Sequence, residues 1–140
     1  MRHTSTDACN SLEFTFKPFL PTRVEQSVAS CFESIVSRFP NQIAVESRTE
    51  RLTYTELNQR SNRIARAIVA MRGNHEESVA LLIEQGTSFI ASMFAVLKAG
   101  KAYAPLDPSF PKQRTIDILA DTTAQIIVTN NRNLEYAQKL

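Results

Sequence analysis

Leu97-Lys98-Ala99-Gly100-Lys101-Ala102-Tyr103-Ala104-Pro105-Leu106-Asp107-Pro108-Ser109-Phe110-Pro111-Lys112-Gln113-Arg114 decides the fold of this chain. Leu97 to Ala99 closes an apolar helical run, and Gly100 supplies the residue type that ends a helix. Ala102 to Leu106 reads as a short apolar strand. Asp107-Pro108-Ser109 is turn chemistry, and Pro111 suits the first turn of a new helix. A helix, a strand and a helix in so few residues form one repeat of an alternating α/β chain.

The same alternation holds on both sides. Upstream, Thr87 to Ala99 is apolar nearly all round (Phe89, Ile90, Met93, Phe94, Val96), which requires packing on more than one side. Ser78 to Ile83 reads as a strand buried on both faces. Before it, Leu57, Ile64, Ala65, Ile68 and Met71 mark one face of a long helix, with Arg60, Asn62, Arg63 and Arg66 turned mostly away. Thr53 and Glu56 have the spacing of a capping box at its start, and Gly73 is placed to stop it. Gln42 to Ser47 and Arg51 to Thr53 read as short strands around a turn. Val28, Phe32, Ile35, Val36 and Phe39 recur at helical spacing behind Ser27, a suitable N-cap. Downstream, a helix runs to about Asp121, Gln125 to Thr129 is a strand, and Asn133 to Gln138 starts another helix. The expected fold class is α/β: a partial doubly wound sheet, mostly parallel, with helices on both faces. Residues 1–23 read as a tail or linker, in which Phe14, Phe16, Phe19 and Leu20 could dock on the body. Residues 24–140 form the folded unit.

Composition excludes several function classes. The chain has 140 residues, 16 basic and 14 acidic, a net charge of +2, and 43% apolar residues. The basic residues are scattered, so no nucleic-acid footprint forms. No apolar run nears the roughly 20 residues of a membrane span. The first ten residues are polar and lack the apolar segment of a secretion signal. Cys9 and Cys31 therefore read as reduced thiols, Cys31 on an apolar helix face, and a cytoplasmic location is expected. His3 and His75, with these cysteines, show no metal-ligand spacing.

Two blocks carry a family resemblance. Leu52-Thr53-Tyr54-Thr55-Glu56-Leu57 resembles the first signature of the amino-acid adenylation domains of nonribosomal peptide synthetases, Leu-Thr/Ser-Tyr-x-Glu-Leu. Leu97, Lys98, Ala99, Gly100, Ala102, Tyr103, Pro105 and Asp107 resemble the second, Leu-Lys-Ala-Gly-x-Ala-Tyr-Val-Pro-Leu/Ile-Asp. Pro111 and Arg114 extend it through Pro108-x-Phe110-Pro111-x-x-Arg114. The resemblance spans Val24 to Thr129 and implies the first half of the N-terminal domain of an adenylate-forming (AMP-binding) enzyme. The chain departs from the pattern at Ala104, Gln113 and Thr115. Of an acidic-Asp-Ser-Gly stretch at Ala120 to Thr123 only Asp121 is kept, and Thr123 stands where the family has a turn glycine.

The resemblance implies ATP and Mg²⁺ as cofactors of the parent enzyme, and a phosphopantetheine on a neighbouring carrier domain. It also implies a glycine-rich loop for the nucleotide phosphates. Such a loop needs clustered glycines so that several amides approach the phosphates. This chain has only Gly73, Gly86 and Gly100, no two closer than 13 residues. The expectation is therefore an N-terminal fragment of an adenylation domain that is inactive alone, with no catalytic, cofactor-binding or metal-binding residue of its own. Two alternatives stay open: a stand-alone binding module, or a non-functional remnant. Expected partners are the remainder of the adenylation domain, including one that is separately encoded, or a small MbtH-like helper protein. Lys98 and Lys101 read as helix-end charges favoured by the macrodipole. Asp107 reads as a turn cap, Tyr54 and Tyr103 as packing aromatics, and Glu76-Glu77 as a solvated loop.

Overall fold

A computed structural model describes residues 26–140, so the expected tail and its aromatic residues lie outside the described residues. Two small sheets are present among them. The first is the antiparallel pair β1 (Ile43–Glu46) and β2 (Arg51–Thr53). The second is parallel, in the order β4 (Ala102–Leu106), β3 (Ser78–Leu82), β5 (Ile127–Thr129). Five helices connect them: α1 (Val28–Arg38), α2 (Tyr54–Arg72), α3 (Thr87–Lys98), α4 (Lys112–Thr122) and α5 (Leu134–Ala137).

The parallel sheet is organised around β3. Because side chains alternate along a strand, Val79 and Leu81 face one side and Ala80 and Leu82 the other. All four are fully buried. Val79 and Leu81 join Ala65 and Ile68 of α2 and Ala95 and Val96 of α3. Ala80, Leu82 and Leu106 meet Ile118 and Leu119 of α4 and Tyr136 of α5. The expected doubly wound arrangement is therefore observed, with helices on both faces. Each fully buried Leu or Val here removes enough apolar surface from water to contribute about 1.5–3 kcal/mol.

Helix boundaries follow local chemistry. The Ser27 Oγ accepts the Ser30 N–H at 3.1 Å and starts α1. The Thr53 Oγ1 accepts the Glu56 N–H at 3.3 Å, and the Glu56 carboxylate accepts the Thr53 N–H at 2.8 Å, so both halves of the capping box exist. Gly73 ends α2 with φ 69°. Gly100 ends α3 with φ 71°. The Gly100 N–H reaches the Leu97 carbonyl and the Lys101 N–H reaches the Val96 carbonyl, both at 3.1 Å. That pair of bonds is the Schellman closure that a left-handed glycine permits.

Several expected core positions are not buried. Of the α1 stripe only Phe32 is buried, while Val28 and Phe39 are exposed. Cys31 is half-buried rather than in the core. Met71, on the expected apolar face of α2, is 70% exposed. These positions lie in the terminal turns of their helices or on their flanks, where no second layer of the described residues reaches. None of the described helices is long and apolar enough to cross a membrane.

Candidate functional site

In an open α/β sheet, ligands enter at the C-terminal ends of the strands where consecutive connections leave in opposite directions. This sheet has such a point. The chain steps from β3 through α3 to β4, then crosses back through α4 to β5 on the other side of β3. A cavity of about 610 Å³ lies there, lined by Ile83, Glu84 and Gln85 after β3, Pro105 to Ser109 of β4 and its turn, Phe89 of α3, and Arg132 and Asn133 after β5. A second cavity of about 450 Å³ shares Ile83, Glu84 and Gln85 and extends to the β1–β2 turn at Ser47 to Thr49.

Glu84 and Asp107 supply the negative charge of this crevice. The Asn130 amide donates to the Glu84 carboxylate at 2.7 Å, and the Arg132 Nε lies 3.4 Å from it. Those contacts, Asn130 first, hold the Glu84 carboxyl below the ordinary carboxylate range. Asp107 Oδ1 accepts the Ser109 N–H at 2.8 Å and the Ser109 hydroxyl at 2.7 Å. Those two bonds, the backbone one first, lower the Asp107 pKa. Both groups are anionic at neutral pH, and among the described residues Asp107 forms no salt bridge.

Asp107 is the one residue of the two signatures that reaches this crevice by its charge; Pro105 lines it as an apolar wall. The first signature lies elsewhere and is committed to packing. Leu52 and Leu57 are 2% exposed and share a cluster with Phe32 and Ala91. The Tyr54 ring sits 6.4 Å from Phe32, tilted by 41°. Thr53 and Glu56 cap α2.

Lys98 and Lys101 stand at the end of α3, as expected, but their charges are buried rather than facing water. The Lys98 side chain is 5% exposed, pairs with Glu33, and places its Nζ 5.5 Å from the Phe32 ring centroid. The Lys101 side chain is fully buried; its Nζ lies 3.1 Å from the Glu77 carboxylate and donates to the His75 carbonyl at 2.6 Å. Nor is Glu77 solvated. Its side chain is 9% exposed and also accepts from the Arg72 guanidinium at 2.8 Å. The Arg72 hydrogen bonds, followed by those of Lys101, hold its carboxyl at about 2, against an ordinary 4.5. Burial alone would raise that value, so the two cations win. Glu76 stays exposed, as expected.

The remaining signature residues divide the same way. Leu97 is half-buried and Ala99 buried beneath the Gly100 closure. Ala102 and Tyr103 are exposed on β4. Pro111 is the N-cap residue of α4, one position earlier than its expected place in the first turn. The Arg114 guanidinium lies 4.5 Å from the Phe110 ring centroid. Thr115, where the family has Leu, is fully buried and accepts the Tyr136 hydroxyl at 3.3 Å, so its polar atom has a partner.

Sequence reading missed Glu84, Asn130, Arg132 and Asn133. The signal available was position: Glu84 follows the strand that both crossovers flank. Its partners come from a loop more than forty residues later, which no local pattern connects to it. A second network was equally hidden. Arg60 of α2 pairs with Glu50 of the β1–β2 turn, and the Thr87 hydroxyl at the start of α3 donates to the same carboxylate. These bonds, Arg60 first, lower the Glu50 pKa and tie the hairpin to the helices of the parallel sheet.

The chain is similar to known proteins in sequence and in fold. Residues 32–140 match the family described as AMP-binding enzyme. N-(5-amino-5-carboxypentanoyl)-L-cysteinyl-D-valine synthase of Amycolatopsis lactamdurans is 38% identical over 109 residues, which is 76% of this chain and 3% of that protein. Among solved structures, the N-terminal subdomain of NpsA from Klebsiella oxytoca superposes with a TM-score of 0.69 at 23% identity, over 75% of this chain and 28% of that one. The AMPPNP-bound form of the nonribosomal peptide synthetase FmoA3 superposes with a TM-score of 0.74 at 28% identity, over 79% of this chain and 12% of that one. The chain spans between 1% and 5% of the length of the curated relatives it matches.

Proposed function

The chain belongs to the AMP-binding enzyme family and corresponds to the N-terminal part of a nonribosomal peptide synthetase adenylation domain; from that premise we propose that these residues act as a folding scaffold within such a domain and do not adenylate on their own. In the whole domain, a carboxylate oxygen of an amino acid attacks the α-phosphorus of ATP, forms the aminoacyl adenylate and releases pyrophosphate. The scaffold supplies one wall of that domain, and the partner is the remainder of the domain.

The observation that supports this reading is where the signature residues spend their contacts. Thr53 and Glu56 cap a helix, Gly100 closes one, Lys98 and Lys101 neutralise Glu33 and Glu77, and Leu52, Leu57 and Ala99 fill the core. Each is consumed by the fold. The crevice does not suit a nucleoside triphosphate either. Its two carboxylates repel phosphate, and its one guanidinium, Arg132, is already beside Glu84. Electrostatic stabilisation of a transferring phosphoryl group needs cations or amides aimed at it. No step involving ATP is therefore assigned to these residues, and ATP and Mg²⁺ belong to the proposed whole domain.

The test is a pair of measurements on the 140-residue chain. Titration calorimetry with ATP and Mg²⁺ is expected to show no low-micromolar binding. Amino-acid-dependent exchange of pyrophosphate into ATP is expected to stay at background. Saturable low-micromolar binding, or exchange with any amino acid, would overturn the scaffold reading.

A further inference from the structure

The start of α3 has no cap of its own. Its N-cap residue is Gly86, which offers no side chain to the first turn. That turn carries unpaired N–H groups and favours a negative charge beside it. The charge comes from outside the helix. Glu50, 37 residues before Thr87, accepts the Thr87 hydroxyl on its carboxylate. The Arg60 guanidinium of α2 donates to both carboxylate oxygens, at 3.1 Å to Oε2, and holds the group in place. Thr87 is buried, so this contact lies inside the fold.

The carboxylate belongs to the turn between β1 and β2, and the same residue builds that turn. The Glu50 N–H donates to the Ser47 hydroxyl at 3.1 Å, and the Ser47 N–H donates to the Glu50 carbonyl at 2.8 Å. The two-stranded sheet shares no ladder with the parallel sheet, and Leu52 is the one buried residue on its strands. A hairpin of that size is marginal unless something anchors it. The helix turn served by Glu50 borders both cavities: Gly86, Thr87 and Ser88 line the second, and Phe89 the first.

We propose that Glu50 is a latch that caps α3 from the hairpin, so that the β1–β2 turn and the first turn of α3 open as one unit while the parallel sheet stays folded. Movement of the turn is thereby transmitted to the edge of both cavities. The latch rests on contacts between described residues and concerns neither ATP nor the remainder of a larger domain. It and the scaffold reading can therefore fail separately.

Amide hydrogen exchange, followed by NMR on the 140-residue chain, reads the two turns and the sheet separately. The reporters are the Ser47 N–H in the hairpin turn, the Ile90 N–H on the Gly86 carbonyl, and the Ala80 N–H on the Ile126 carbonyl. In the unaltered protein Ser47 and Ile90 are expected to share one opening equilibrium, with Ala80 protected more strongly. Glu50→Gln keeps the shape and removes the charge. It is expected to speed Ser47 and Ile90 by the same factor, roughly tenfold, the size of a part-exposed charged hydrogen-bond pair. Thr87→Val leaves every bond within the hairpin intact, yet should speed Ser47 together with Ile90. Glu77→Gln, whose contacts the opening does not break, should speed Ala80 alone. Unequal factors at Ser47 and Ile90, or a Thr87→Val effect confined to α3, would overturn the latch, because the two turns would then open independently. So would Glu77→Gln speeding all three amides alike, because no opening short of global unfolding would then exist. If Glu50→Gln fails to fold, the unaltered protein, Thr87→Val and Glu77→Gln still decide the matter.

Discussion

The Lys101 Nζ lies 3.1 Å from the Glu77 carboxylate, with the lysine side chain fully buried and the glutamate 9% exposed. This pair joins the loop before β3 to the loop before β4, so it fixes the starting level of two adjacent parallel strands. The Arg72 guanidinium adds the end of α2 to the same carboxylate.

Removing both partners of this cluster should cost less than the sum of removing each alone. Lys101→Met leaves Glu77 with Arg72 alone in a poorly hydrated site, and Glu77→Gln leaves a buried ammonium without its counter-charge. Each single variant is expected to lower the urea midpoint more than the control Glu76→Gln. The double variant should lose less than the sum of the two, because each single change already breaks the shared contact. Strict additivity would show that the pair is not coupled.

Acid should unfold the protein partly through the same group. The folded carboxyl of Glu77 sits at about 2 and an unperturbed one at 4.5. A depressed folded pKa means that the contribution is complete above the unfolded value and is lost as pH falls from about 4.5 towards 2. Glu50, Glu56, Glu84 and Asp107 are lowered too and act in the same direction. Stability measured from about pH 6 downwards should fall across this window, and the fall should be shallower in Glu77→Gln. Identical slopes in the two proteins would contradict the assignment.

Two of the helix ends with positive φ make opposite predictions. Gly100 has φ 71° and open space where a Cβ would stand, so Gly100→Ala costs conformational strain only. That strain is about 1 kcal/mol. Thr123 carries φ 50° and ψ 30° at the end of α4. It is a β-branched residue, for which left-handed backbone is costly. Thr123→Gly is expected to stabilise by about 0.5–1 kcal/mol, the relief of strain being partly offset by a freer unfolded chain. Thermal melts of the two variants should shift in opposite directions.

The capping box supplies the fourth prediction. Thr53→Ala removes the acceptor for the Glu56 N–H. It should destabilise by about 1 kcal/mol. Glu56→Gln should cost less, since its amide oxygen can still accept the Thr53 N–H. A double-mutant cycle should reveal coupling between the two positions, and its absence would remove the reciprocal geometry.

Much of this architecture is legible in the residues alone. Ser78 to Ile83 announces a strand buried on both faces, and Val79 to Leu82 are indeed fully buried. The glycine missing at Thr123 is visible as a departure from the family, and the backbone there is left-handed. The burial of Lys98 and Lys101 is not visible, because a lysine at the end of a helix looks the same whether a carboxylate waits for it or water does. Met71 fits the apolar stripe of α2 yet lies outside the core, since periodicity gives a face but not how far the next layer extends along it.

Element types, most of their ends and the family are therefore written in the order of residues, because caps, glycine stops and side-chain periodicity act within one or two turns of chain. The strand order β4-β3-β5 and the pairing of Lys101 with Glu77 and of Glu84 with Asn130 arise only in the folded molecule. Those outcomes depend on groups brought together from distant parts of the chain, where burial strips away water and a charge is stable only beside the partner that the fold delivers.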